Sequence, residues 1–103
     1  MIQNKNKSNA DQGKDSNNIA LDYYMSGIKI DPRHFGCIYN AACSHFYEKK
    51  YNNALKWFEI ALKINPESYD SYFGKAITCL KLNNVDQALK TIEILDSMPT
   101  LQT

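Results

Sequence analysis

Two prolines, Pro32 and Pro66, stand 34 residues apart, and the segments leading into them superpose. NNIALDYYMSGIKIDP ends at Pro32, and YNNALKWFEIALKINP ends at Pro66. In that register Ala20 matches Ala54, Tyr24 matches Phe58, Gly27 matches Ala61 and Ile30 matches Ile64. One period further on, Ala88, Ile92 and Leu95 take the same places, with Pro99 one residue early. A unit of this size cannot bury an apolar face alone. A chain built on such a period is therefore stable only when successive units stack into a solenoid.

Apolar residues recur at helical spacing from Ile19 almost to the end, and no segment shows sustained alternation of period two. The pattern predicts five helices. The first spans about 18–30, with Ile19, Ala20, Tyr23, Tyr24, Gly27 and Ile28 on its apolar side, and Asp31-Pro32 ends it. Proline disfavours α geometry in the residue before it. The others span about 36–49, 52–64 (stopped at Asn65-Pro66), 68–82 (turning at Asn83-Asn84) and 85–97 (stopped near Pro99). Residues 1–17 carry Asn, Lys, Ser, Gln and Asp with almost no apolar side chains. Such a segment does not offset its ordering entropy by burial. It reads as a mobile polar segment or as a degenerate first repeat helix. The helical domain then covers 18–98, and 99–103 is a tail.

The segment 35–68 resembles a tetratricopeptide repeat. Ala41, Ala42, Ala54 and Ala61 sit where that family needs close helix contact, and Tyr51, Phe58 and Pro66 match its aromatic and proline positions. Residues 69–100 are similar to a second, looser repeat through Tyr72, Ala76, Val85 and Ala88. Residues 1–34 resemble a third, of which the second helix carries the likeness. The resemblance implies an all-α fold: a short right-handed α-solenoid of antiparallel helix pairs, about two and a half repeats long. Independently, alanines spaced i, i+7 lie on one helix face and let another helix approach closely.

The resemblance also implies where a partner sits. Family members bind peptides along the concave surface formed by the first helix of each pair. In this chain Tyr39, Asn40, Cys43, Phe46 and Tyr47 would line that groove from one repeat, and Asp70, Phe73, Gly74, Ile77 and Leu80 from the next. The groove is aromatic and apolar, suited to an extended or helical peptide with apolar anchors. The bland alternative is that several of these side chains, Phe46 and Leu80 above all, simply pack on neighbouring helices. Some family members instead clamp the C-terminal carboxylate of acidic chaperone tails. Lys5, Asn9 and Asn40 fall on the first three positions of that clamp, but Asp70 and Gly74 fall where Lys and Arg are expected. An acid there repels a carboxylate. A co-chaperone-like role is the weaker alternative.

The last helix suggests a second kind of contact. Val85, Leu89, Ile92 and Leu95 form an apolar face that a following helix would cover, and only PTLQT follows Met98. This face self-associates, or a partner covers it, or the N-terminal segment folds back on it, or the chain is a piece of a longer solenoid. The chain then acts as a structural subunit docking through that face.

Other classes find little support. The net charge of +1 gives no electrostatic footprint for nucleic acid or an acidic membrane. Nothing approaches the ~20 apolar residues of a membrane span, and the N-terminus lacks the apolar stretch of a secretory signal. The expected location is the cytoplasm, or the nucleus. Cys37, Cys43 and Cys79 show no metal-ligand spacing and read as small apolar filler, so no metal or cofactor is expected. His45 reads as a core histidine, His34 as a solvated turn residue, and Trp57 as partly packed. No nucleophile, zinc or phosphate-loop motif is present, so an enzyme is not expected.

Overall fold

The computed structural model describes residues 12–99, with side chains from residue 17 onward. Lys5 and Asn9 therefore lie outside the described residues. Five helices run in order: α1 Gln12–Ile30, α2 Phe35–Tyr47, α3 Tyr51–Ile64, α4 Tyr69–Lys81 and α5 Val85–Ser97. No strand occurs among the described residues. Each helix packs on the next, and α2 also reaches α4. The stack is elongated, 56 × 32 × 26 Å, as expected when units touch only their neighbours.

The 34-residue period is visible in the turns as well as the helices. After α1, Asp31 N donates to Gly27 O (2.8 Å) and Arg33 N to the Asp31 side chain (3.1 Å). After α3, Asn65 N donates to Ala61 O (2.9 Å) and Glu67 N to the Asn65 side chain (3.1 Å). Next comes an N-cap. His34 Nδ1 accepts from Cys37 N at 3.2 Å, and Ser68 Oγ accepts from Ser71 N at 3.1 Å. Each satisfies an amide the first helical turn leaves unpaired. His34 is exposed, as expected of a turn residue, but it also caps α2.

The turns within the pairs match too. α2 ends at Tyr47, two residues before the expected Lys49, because Lys49 adopts φ 62°. Asn83 adopts φ 61° at the equivalent place after α4. Lys50 N donates to His45 O (2.9 Å) and Lys49 N to Phe46 O (2.9 Å). Asn84 N and Asn83 N repeat this to Cys79 O (2.8 Å) and Leu80 O (3.0 Å). Both closures use a left-handed residue to satisfy the last carbonyls of the helix. Asparagine takes that conformation readily, whereas lysine does so at a cost.

Alanines set the helix spacing. Ala41, Ala42, Ala54, Ala61 and Ala88 are all fully buried. Phe58 fills the volume beside Ala42 and Ala54, with Tyr39, Cys43, Phe46 and Trp57 packed around them. Gly27 has the same role between α1 and α2: a Cβ there would lie 2.5 Å from Cys37 Sγ. Of the cysteines, Cys79 is buried and Cys37 and Cys43 are half-buried, all as free thiols.

Three expectations need correction. α1 begins at Gln12 rather than near residue 18. Its early part is anchored by a polar contact: Asn17 Nδ2 donates to Glu48 Oε2 (2.9 Å) and to Ser44 O (3.3 Å) at the end of α2. Ile19 and Tyr23, expected on the apolar side of α1, are exposed, while Ala20, Tyr24, Gly27 and Ile28 face inward. α2 touches one side of α1, and that side follows the i, i+4, i+7, i+8 line of Ala20, Tyr24, Gly27 and Ile28. His45 is half-buried with Nδ1 shut off from solvent and unpaired among the described residues. Burial, and then the Lys50 charge, hold its pKa below the usual histidine value.

Candidate binding groove

An open pocket of about 150 Å³ lies between α2 and α4, with α3 behind it. Its lining comprises Tyr39, Cys43, Phe46 and Tyr47 from α2, Phe58 from α3, and Asp70, Phe73, Gly74 and Ile77 from α4. Eight of the ten groove residues expected from the sequence thus surround one pocket. Asn40 and Leu80 are exposed and lie outside its lining. Leu80 is the repeat equivalent of Phe46. Phe46 packs on Tyr51 with ring centroids 5.3 Å apart, whereas Leu80 remains half exposed, and the place equivalent to Tyr51 holds the smaller, exposed Val85.

Phe58 is the lining residue the sequence reading assigned only to the repeat core. Its ring is 2% exposed and meets Tyr39 edge-on at 5.9 Å. It also reaches α4: a Cβ at Gly74 would lie 2.5 Å from Phe58 Cζ and 3.0 Å from Cδ1. Glycine at 74 is thus the space that lets the ring pass from α3 to the pocket floor. The signal for this was in the sequence, as a small residue on α4 and a large aromatic on α3, but periodicity does not pair them.

The walls are aromatic. Tyr39 stacks on Phe35 at 6.1 Å, and Phe46 meets Tyr47 edge-on at 6.2 Å. Tyr47 and Phe73 are 77% and 52% exposed, so both present ring area at the mouth. Burial, and then the Cys43 thiol, push Tyr39 up to about 12. Burial likewise pushes Cys43 up, partly offset by Tyr39. Both groups stay protonated at neutral pH, which leaves the Asp70 carboxylate as the only charge in the lining. Asp70 has no ion-pair partner among the described residues. The nearby cation, Lys75, is engaged by Glu59 of α3 at 3.5 Å, away from the lining.

A second apolar surface lies on α5. Val85, Leu89 and Ile92 are 54%, 55% and 42% exposed, and follow i, i+4, i+7 on one face. Leu95, expected with them, is half-buried instead. Ala88 and Thr91 form the face packed on α4, and Thr91 satisfies its hydroxyl by donating to Gln87 O at 2.8 Å.

Comparison with known proteins gives one consistent fold. The sequence profile of the tetratricopeptide repeat matches residues 45–98. No curated protein matches by sequence search. Among solved structures, MamA AMB-1 superposes with a TM-score of 0.76 at 14% identity, covering 82% of this chain and 49% of that one. The chain thus spans about half the length of the MamA chains it matches. The second TPR of Spaghetti (RPAP3), bound to HSP90 peptide SRMEEVD, superposes at 0.77 with 18% identity, covering 95% of this chain and 91% of that one. The first TPR of the same protein, with the same peptide, gives 0.75 at 24% identity, covering 88% and 72%.

Proposed function

Because this chain belongs to the tetratricopeptide repeat family, we propose that it is a protein-interaction module that takes an apolar segment of a partner into the groove between α2 and α4. The observation that carries this reading is the pocket itself: one open cavity, aromatic-walled, in the spacing between two helices of equivalent repeat position. Its volume of about 150 Å³ suits one large apolar side chain, since a cavity of that order accepts benzene. Exposed rings at the mouth are the residue type that concentrates binding energy at interfaces. No catalytic role follows from this arrangement.

The HSP90 peptide SRMEEVD bound by the two Spaghetti domains is an acidic segment. In this chain the positions where a carboxylate clamp needs cations hold Asp70 and Gly74. Moreover, a side chain at 74 would collide with Phe58. The groove supports an apolar ligand rather than an acidic tail.

The test is retention of a bead-displayed library of random octapeptides, N-acetylated and C-amidated, on the full chain. Phe73 is half exposed, so Phe73→Ala should leave the melting curve nearly unchanged. It is expected to weaken the retained peptides about tenfold, the scale of an interface anchor. Retention unaffected by Phe73→Ala would reject the groove.

A second reading rests on the apolar face of α5, which would let the chain dock into an assembly or pair with itself. Leu89→Glu places a charge in the middle of that face. Sedimentation velocity decides: the reading expects an associating wild type and a monomeric Leu89→Glu. A monomeric wild type at tens of micromolar removes self-association.

A further inference from the structure

We infer that the groove selects a cationic flank, taking a segment in which a Lys or Arg neighbours the apolar anchor. This inference rests on the groove reading above and adds the charge of its ligand. Three features on the same pocket support it. First, Asp70 is the only charged lining residue, exposed and without an ion-pair partner among the described residues. Second, Lys75 of α4 is held by Glu59, so no cation among the described residues pairs with the carboxylate. Third, the mouth is made of Tyr47 and Phe73, whose exposed rings offer negative faces to a cation and flat apolar surface to its methylene stem.

Asp70, Tyr47 and Phe73 act on one ligand because they line one small cavity. Asp70 lines the same pocket that holds the anchor, so the cation lies within a residue or two of the anchor along the partner chain. Asp70 sits in the first turn of α4, where the helix dipole favours a negative charge. The carboxylate is thus retained at this place without a salt bridge among the described residues. A free carboxylate on the ligand meets the opposite situation: repulsion from Asp70 and no cation in the lining.

The same octapeptide library supplies the experiment, its blocked ends removing terminal charges. Lys and Arg are expected to be enriched beside the apolar anchor in peptides retained by the wild type, and Asp and Glu depleted. A retained peptide should lose about 2–5-fold in affinity on Asp70→Asn, the scale of an exposed ion pair, and lose more on Asp70→Lys. The Asp70→Asn difference should shrink at high salt. SRMEEVD should bind more weakly than the selected peptides. Apolar enrichment with no basic preference, or a preference unchanged by Asp70→Asn, overturns this inference while leaving the groove reading intact. So does SRMEEVD binding as tightly as the selected peptides. Retention indifferent to Phe73→Ala overturns both.

Discussion

Phe58→Ala is expected to cost about 3–5 kcal/mol, the range for deleting a buried aromatic ring. The ring is 2% exposed and fills the space beside Ala42 and Ala54. It also touches three helices at once: its own, α2 through Tyr39, and α4 through the space at Gly74. Removing it leaves alanines facing a cavity they are too small to close. A domain of this size has about 5–15 kcal/mol in total, so much of its stability would be lost. The midpoint should fall by ~12–40 °C, at about 4–8 °C per kcal/mol. Circular dichroism melting measures it. A fall of only a few degrees would mean that the ring does not bridge the repeats.

Gly74→Ala is expected to destabilise the protein even though alanine is the better helix former. The gain from replacing a helical glycine is about 0.5–1 kcal/mol. Against it stands overpacking of about 1–3 kcal/mol, because the new methyl would lie 2.5 Å from Phe58 Cζ. The ring is enclosed and has little room to retreat. The sign should reverse when the ring is shortened: in a Phe58→Leu background, Gly74→Ala becomes neutral or stabilising. Urea denaturation of the four proteins gives the coupling, expected at about 1–3 kcal/mol. Additive effects would contradict the close approach of α3 and α4 at this point.

Much of this architecture was legible in the sequence, for a physical reason. A solenoid repeats its contacts, so Ala54, Ala61 and Ala88 recur where helices touch, and Pro32 and Pro66 recur where the chain must turn. The turn chemistry recurs with them, although His34 in place of Ser68 hides the cap behind a different donor-accepting group. What escaped depended on contacts between residues distant in sequence. The onset of α1 rests on Asn17 reaching Ser44 and Glu48, and no hydrophobic pattern marks a polar tether. The part of Phe58 in the groove depends on a glycine one helix away. Equivalence by period also misled where the stack runs out. Ile92 takes the place of Phe58 in the repeat, yet it is 42% exposed because no later helix lies against α5 among the described residues.

The same reasoning explains the mixed outcome for the groove. Residues on α2 and α4 that point between the helices follow from the repeat alone: Tyr39 and Phe73, like Cys43 and Ile77, stand one period apart. Whether such a residue lines a pocket depends on what lies behind it. Phe46 has Tyr51 and the core behind it, and Leu80 has neither.

On the proposed reading, partners enter between α2 and α4. Amide chemical-shift mapping of the full chain, titrated with a peptide selected from the library, tests it most directly. Shifts are expected to concentrate at Tyr39, Cys43, Asp70, Phe73, Gly74 and Ile77, with Val85, Leu89 and Ile92 silent. Shifts concentrated on α5, with the residues around the pocket unmoved, would contradict it.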